Sequence, residues 1–350
     1  MNKQYSDRQV NMGVTINDVA RAAKVATSTV SRVIANNPKI SAETRERVQK
    51  LIKEMNYHPN MIASSLANRS TKIIGLVVQG TTEKAFGHPF MPEIIRGITS
   101  MAHQYGYKIL ISSADDLEEE KELISNLSRD GIVEGIILTA SRIQDPSIAE
   151  LDKQKFPFVL IGRPSDSELI NWVDNDNFSV SYELTKHFIN QGHRKIAFLG
   201  VSSEVIVTLD RYEGYKKALE DSGIEVNPGL VVKGKFLDNS GYDMMKRLMD
   251  IKADLTGVIA CDDFIALGAI KLLMEHGISI PEDIAIAGFN NTLLAEHSIP
   301  ALTSVEINAG VLGSCAFELL YNHIQNQNMD VKHTIVPAEI IQRSSSIRTL

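Results

Sequence analysis

From residue 72 to residue 288 the 350-residue chain alternates short apolar runs, rich in β-branched residues, with amphipathic stretches of helical period. The runs fall at 73–79, 108–112, 135–139, 158–161, 195–200, 230–232, 257–260 and 284–288. Helical patterns lie between them at 92–105, 118–129, 147–153, 178–191, 211–221, 241–250 and 264–276. Parallel strands need a long crossover, and a helix supplies one. The alternation therefore predicts parallel sheets covered by helices on both faces. The units are too many for one compact sheet, and residues 172–177 read as a crossover. The body is thus expected to be two α/β subdomains with a cleft between them, completed by 303–307, a helix at 309–325 and 334–342. Open parallel sheets bind ligands beyond the carboxyl ends of their strands, which here would face the cleft.

Residues 14–34 have a different texture. Thr15 precedes an apolar-periodic run (Ile16, Val19, Ala20, Ala23), and Asp18 follows three residues on, the aspartate form of a capping box. A helix is expected to begin there. Ala22, Ala23 and Ala26 are small, as a close helix crossing requires. A second helix, 27–34, would turn Val30, Val33 and Ile34 inward and leave Thr27, Ser28, Ser31 and Arg32 outward. Hydroxyls near a helix N-terminus with an arginine one turn later suit the DNA major groove. Any two-helix hairpin in a small bundle would show the same inside–outside pattern. A third helix follows Ser41, with Val48, Leu51, Ile52 and Met55 on one face.

Charge is divided along the chain. Residues 1–70 hold 11 of the 36 Lys+Arg and 5 of the 43 Asp+Glu, a balance of +6 against −13 for the rest. A basic module on an acidic body suits a polyanion at one end only. Residues 1–13 are polar and lack a signal-peptide core, and no apolar run could span a bilayer, so a cytoplasmic protein is expected. Cys261 and Cys315 are isolated and read as buried free thiols.

The stretch 14–34 resembles the DNA-binding headpiece of the lac repressor family, whose signature is close to V-T-I-x-D-V-A-x-x-A-G-V-S-x-x-T-V-S-R-V. Nearly every fixed position is present; Lys24 replaces the preferred glycine and Ala26 the preferred serine. The likeness continues through N-Y-x-P-N-x-x-A-x-x-L, matched by Asn56, Tyr57, Pro59, Asn60, Ala63 and Leu66. From the residues alone, 61–69 is helix-compatible but too short to be a stable helix in water, and a plain interdomain linker is the alternative. The resemblance implies a small all-α helix-turn-helix headpiece at 1–58 and a hinge helix at 59–70. It also implies a two-subdomain α/β body at 71–350, like a periplasmic sugar-binding protein. The subdomains would be 71–171 with 302–328, and 172–301 with 329–350, giving three chain crossings.

Carried over residue by residue, the resemblance assigns DNA contact to Thr15, Ile16, Thr27, Ser28, Thr29, Ser31, Arg32, Tyr57, Asn60, Ala63 and Leu66. Leu66 would wedge into the minor groove and kink the duplex. In the body, Arg211 of R-Y-E-G-Y would grip effector hydroxyls and Phe236 would stack on the ligand. Asp262 of A-C-D-D-F and Asn290 of G-F-N-N would be polar cleft positions, with Gln79 and Phe90 on the opposite wall. Many relatives carry aspartate at the Asn290 position; an amide there brings no charge and suits a neutral polyol. Arg211 could instead pair with Glu213 or Glu204, and Phe236 could be core.

No catalytic constellation accompanies these residues. There is no glycine-rich phosphate loop and no G-x-S-x-G elbow, and the nine histidines lack zinc-ligand spacing. Asp262 and Asp263 diverge by about 100 degrees at a helix start. No enzyme activity, metal or cofactor is expected. Residues 87–93 and G-F-N-N resemble the maltose-operon repressors of Gram-positive bacteria within the family, which implies maltose or maltodextrin as inducer. The expectation is a homodimeric repressor on a near-palindromic operator, released by sugar. A global catabolite regulator controlled by a phosphorylated carrier protein is the alternative within the family. A solute-binding protein for import would carry a secretion signal and no basic headpiece.

Overall fold

The computed structural model describes residues 14–34, 36–57, 70–139, 141–165, 169–234, 241–252, 254–326 and 330–347. It divides into two compact units, Met1–Thr71 and Lys72–Leu350.

Among its described residues the first unit holds three helices: α1 (Ile16–Ala23), α2 (Thr27–Ile34) and α3 (Ala42–Glu54). The capping box at the start of α1 is complete. The Thr15 amide donates to Asp18 Oδ2 at 3.0 Å, and the Asp18 amide to Thr15 Oγ1 at 3.4 Å. The Thr15 hydroxyl, donating to Oδ2 at 2.7 Å, and the Thr15 amide hold the Asp18 carboxyl below its usual range. Lys24 occupies the left-handed conformation that glycine prefers, with φ 53°, and its amide closes α1 on the Ala20 and Arg21 carbonyls. Val19, Ala20, Ala23, Val30, Val33, Val48 and Tyr57 form the core, with Ile16, Leu51, Ile52 and Met55 packed against it. Ile34 does not join them; it is 37% exposed because α2 ends there and its last turn leaves the crossing. Ala22 and Ala26 are also exposed, so only Ala23 sits at the close crossing.

The second unit is two six-stranded sheets, in the orders β11-β5-β4-β3-β1-β2 and β12-β10-β9-β8-β6-β7. In the first lobe β1 (Ile73–Gln79) lies parallel between β2 (Lys108–Ala114) and β3 (Ile136–Leu138), followed outward by β4 (Phe158–Ile161) and β5 (Trp172–Asp174). In the second, β6 (Ile196–Val201) lies between β7 (Val231–Lys233) and β8 (Gly257–Ala260), followed by β9 (Ala285–Phe289) and β10 (Thr303–Glu306). The central strands are buried on both faces, hence their unbroken apolar sequences.

Helices cover both faces. The short α4 (Thr82–Gly87) leads into α5 (Phe90–Tyr105), and α6 (Leu117–Arg129) and α7 (Pro146–Gln154) follow in the first lobe. The second lobe has α8 (Asn177–Asn190), α9 (Ile206–Asp221), α10 (Gly241–Asp250), α11 (Asp263–Glu275) and α12 (Leu293–His297). The last helix, α13 (Ala309–Gln325), returns to pack on α5. Their axes pass so closely that a Cβ on Gly97 would lie 1.9 Å from the Gly310 carbonyl oxygen.

Three segments carry the chain between the lobes, but not at the expected residues. Trp172–Asp174 is a strand of the first sheet, so the passage begins at Asn175 rather than 172. Thr303–Glu306 belongs to the second sheet and only α13 returns, so the return falls after 306 rather than at 302. The single stretch expected at 334–342 is two strands. β11 (His333–Ile335) pairs with β5 in the first sheet, and β12 (Glu339–Ile341) pairs antiparallel with β10 in the second. The Asn175 side chain ties the three passages together, donating to the Ile307 carbonyl at 3.0 Å and the Val336 carbonyl at 2.9 Å.

Among the described residues no helix is long and apolar enough to cross a membrane. Both cysteines are free; Cys261 is buried and Cys315 half-buried.

Candidate effector cleft and nucleic-acid interface

In the body, a cleft of about 840 Å³, part of it open to solvent, lies between the lobes. Its wall is built from residues just past strand ends. Thr139 follows β3, Gly162 follows β4, and Asp174 and Asn175 end β5; opposite them Cys261 and Asp262 follow β8, Asn290 follows β9 and Ile307 follows β10. This is the carboxyl-end geometry of open parallel sheets.

Arg211 is the charged centre of that wall. It lies one turn into α9 and is 5% exposed. Nε donates to Asn177 Oδ1 at 2.9 Å and Nη1 to the Cys261 carbonyl at 2.6 Å. The guanidinium carbon lies 4.2 Å from the centre of the Phe289 ring. Burial lowers its pKa, opposed by the carboxylates around it. No pairing with Glu213 or Glu204 forms; Glu213 is taken by Lys216. Nη2 makes no hydrogen bond among the described residues.

Asp262 caps α11, one carboxylate oxygen accepting the Ile265 amide at 2.9 Å while the other faces the cleft. Asp263 turns the other way. It is fully buried, accepting the Ser304 hydroxyl at 2.6 Å and the Thr292 amide at 2.8 Å, and burial pushes its carboxyl up to about 7. The two carboxylates diverge, as their positions at a helix start require. Asn290 lines the cleft with φ 97°, its amide bound to the Val305 carbonyl at 2.9 Å. Phe90 lines the opposite wall.

Gln79 does not line this cleft. With its amide oxygen turned to Arg142 it accepts Nη2 at 2.8 Å and Nε at 2.9 Å, in a neighbouring polar pocket. Arg142 is buried, held also by Glu120 at 2.7 Å and Asp145 at 3.2 Å, and Gln79 completes that cluster. The reading of Gln79 as an effector contact is corrected on this ground. Phe236 lies outside the described residues.

The structure adds residues that sequence spacing did not nominate. His88 is 6% exposed; its Nδ1 accepts the Phe90 amide at 3.4 Å, while its buried Nε2, 3.8 Å from Asp262 Oδ2 across the cleft, makes no hydrogen bond among the described residues. Asp174 accepts the Asn175 amide at 2.7 Å and the Asn177 side chain at 3.0 Å, and burial raises it to about 6. For His88 the signal was its place beside Pro89 and Phe90; Asp174 gave none, because its strand reads as a crossover.

In the three-helix unit, α2 presents Thr27, Ser28 and Arg32 to solvent, with Thr29 and Ser31 half-buried. Ala26 begins the helix with its carbonyl alone, accepting from Thr29 and Val30. Thr15 is exposed at the start of α1. Ile16 packs against the core, and Tyr57 is 8% exposed within it, so both hold the helices together. Arg45 donates to the Asn37 carbonyl at 2.9 Å and fixes the turn before α3. Asn60, Ala63 and Leu66 lie outside the described residues. Among the described residues no cluster of His, Cys, Asp and Glu could hold a metal ion.

A helix-turn-helix unit with a polar second helix, in one chain with a two-lobed binding body, defines a ligand-responsive DNA-binding regulator. Residues 15–60 match the bacterial regulatory proteins of the lacI family, and residues 185–346 match a periplasmic binding protein-like domain. The chain belongs to the lacI family. It is 35% identical over 322 residues to the transcriptional regulator MalR of Streptococcus pneumoniae, covering 92% of this chain and 95% of that one. It is 31% identical to catabolite control protein A of Priestia megaterium, covering 96% and 100%. Among solved structures, the lac repressor dimer bound to operator and an anti-inducer superposes with TM-score 0.85 at 25% identity, covering 96% of this chain and 100% of that one. A CelR–cellobiose complex superposes with TM-score 0.75 at 31% identity, covering 95% and 100%. The protein is a DNA-binding transcriptional regulator; its relatives are regulators, not enzymes.

Proposed function

We propose that this regulator represses maltose or maltodextrin utilisation genes and leaves its operator when a sugar fills the cleft. The observation that carries the reading is Arg211, buried and braced on three sides in a cleft lined by neutral and acidic hydrogen-bonding groups. Such a set matches vicinal hydroxyls. Arg211 donates to one hydroxyl, Asp262 accepts from another, and Asn290 does both without adding charge. Phe90 gives the sugar ring an apolar face. His88 Nε2 lies where a hydroxyl can bridge it to Asp262. The relatives named MalR and CelR, the latter solved with cellobiose, support a disaccharide.

On DNA, Arg32 would contact guanine, with Thr27, Ser28, Thr29 and Ser31 reading neighbouring bases and Thr15 near the phosphates. Two copies would bind a near-palindromic operator in the cytoplasm, their hinge segments (59–70, with Asn60, Ala63 and Leu66) paired in the minor groove. Leu110 and Ile111, 36% and 38% exposed on the edge strand β2, support self-association. The test is fluorescence anisotropy on an operator duplex with increasing maltose, beside calorimetry against a sugar and purine panel. Release by maltose supports the reading. Unchanged DNA affinity with every sugar, but a gain on adding a phosphorylated carrier protein, would replace it with catabolite control.

A further inference from the structure

At the edge of the cleft, where Ser141 and Val205 line its wall, the lobes meet along a short seam. Residues 141–143, past β3, run beside 204–206, at the start of α9. The Ile143 amide donates to the Glu204 carbonyl at 3.0 Å and the Ile206 amide to the Ser141 carbonyl at 3.1 Å, an antiparallel bridge between Arg142 and Val205. Beside this seam Arg163, just past β4 in the first lobe, makes a two-pronged ion pair with Asp210 on α9 in the second. Nε donates to Oδ2 at 2.6 Å and Nη2 to Oδ1. This pairing raises the Arg163 pKa.

The rest of Arg163 is anchored in its own lobe. Its amide donates to Asp174 Oδ2 at 3.0 Å, and its carbonyl accepts the Ser141 hydroxyl. Ser141 and Asp174 both line the cleft; Asp210 immediately precedes Arg211. Arg163 does not line the cleft, yet it holds two residues that do, Ser141 and Asp174, and the neighbour of a third, Arg211. A planar guanidinium on a carboxylate fixes both distance and angle, which a single contact would not.

We propose that Arg163 is a positioning residue, an ionic latch that holds the lobes together at the seam and sets where Arg211 meets the effector. The consequence for sugar affinity rests on the cleft being the effector site; the latch itself does not. Opening at the seam must break the Arg163–Asp210 pair and the two backbone bonds together, so the amides of Ile143 and Ile206 report it directly.

The experiment is hydrogen exchange by mass spectrometry on the full-length chain, comparing wild type, R163Q, D210N and the double variant. Losing a half-exposed bidentate pair is expected to speed exchange in peptides holding Ile143 and Ile206 about tenfold. Peptides of β1 and β8 should keep their wild-type rates, and the double variant should be no faster than the faster single. Maltose affinity by calorimetry should fall by a similar factor. Unchanged exchange at the seam, additive single effects, or equal acceleration throughout the body would overturn the latch. A wild-type chain that binds no maltose but shows the seam-specific pattern would overturn the sugar reading and leave the latch standing.

Discussion

Arg211→Lys separates what the guanidinium does for the protein from what it does for a ligand. The wild-type side chain has three fixed partners: the Asn177 oxygen at 2.9 Å, the Cys261 carbonyl at 2.6 Å and the Phe289 ring at 4.2 Å. A lysine keeps the charge but has one nitrogen. If Nζ reaches the Cys261 carbonyl, the Asn177 oxygen is left buried and unpaired, a cost of about 1–3 kcal/mol. Losing the flat stack on Phe289 adds about 1 kcal/mol. Stability should fall by about 2–4 kcal/mol, read as a lower urea midpoint at unchanged slope. Towards the ligand the loss is one charge-assisted bond, about 1.5–3 kcal/mol, so sugar affinity should drop between about tenfold and a hundredfold. Operator affinity without sugar should stay at the wild-type value, because nothing in the three-helix unit changes. An Arg211→Lys variant that binds sugar like wild type while losing the predicted stability would show that Arg211 is only a brace, and the assignment of the cleft's charged centre would fail.

Three further outcomes follow from the same contacts. In Gly97→Ala the new methyl would lie 1.9 Å from the Gly310 carbonyl oxygen, so α5 and α13 must separate; a loss of about 1–3 kcal/mol or more in urea unfolding is expected. Asp263 is an acid raised by burial from 3.8 to about 7, so its contribution to stability is greatest below pH 4 and is lost as pH rises through 7, by up to about 4 kcal/mol. Asp263→Asn, whose amide can accept from Thr292 and donate to Ser304, should flatten that part of the pH–stability curve, and a curve of unchanged slope would contradict the burial argument. Arg32→Ala should weaken operator binding by about 1–3 kcal/mol and relax preference at one base position, measured by anisotropy across single-base variants of the site.

The residues that could be read from sequence were those whose role is local. Thr15 and Asp18 form their capping box because both partners lie within one turn, and α2 turns Thr27, Ser28 and Arg32 outward because Val30 and Val33 need the core. Arg211, Asp262 and Asn290 were nominated by short local motifs shared with the family, and the structure brings all three to the wall of one cleft. What stayed hidden depends on partners far along the chain. Gln79 ends a strand as a cleft residue would, yet Arg142, drawn in by Glu120 and Asp145, claims it. Trp172–Asp174 is too short for its period to show, and its pairing with β11 comes from residues 333–335. Tyr57 matched a motif but its ring is needed inside the three-helix core. His88 gains its meaning only opposite Asp262, 3.8 Å away and on another lobe.

The three backbone passages stapled by Asn175 also limit the freedom of the body. Two solids joined by one strap can swivel and twist in every direction. Joined by three straps lashed side by side, they keep a single easy rotation, because any other stretches one strap as it slackens its neighbours. Whatever fills the space between the halves is thereby reduced to one number, an angle.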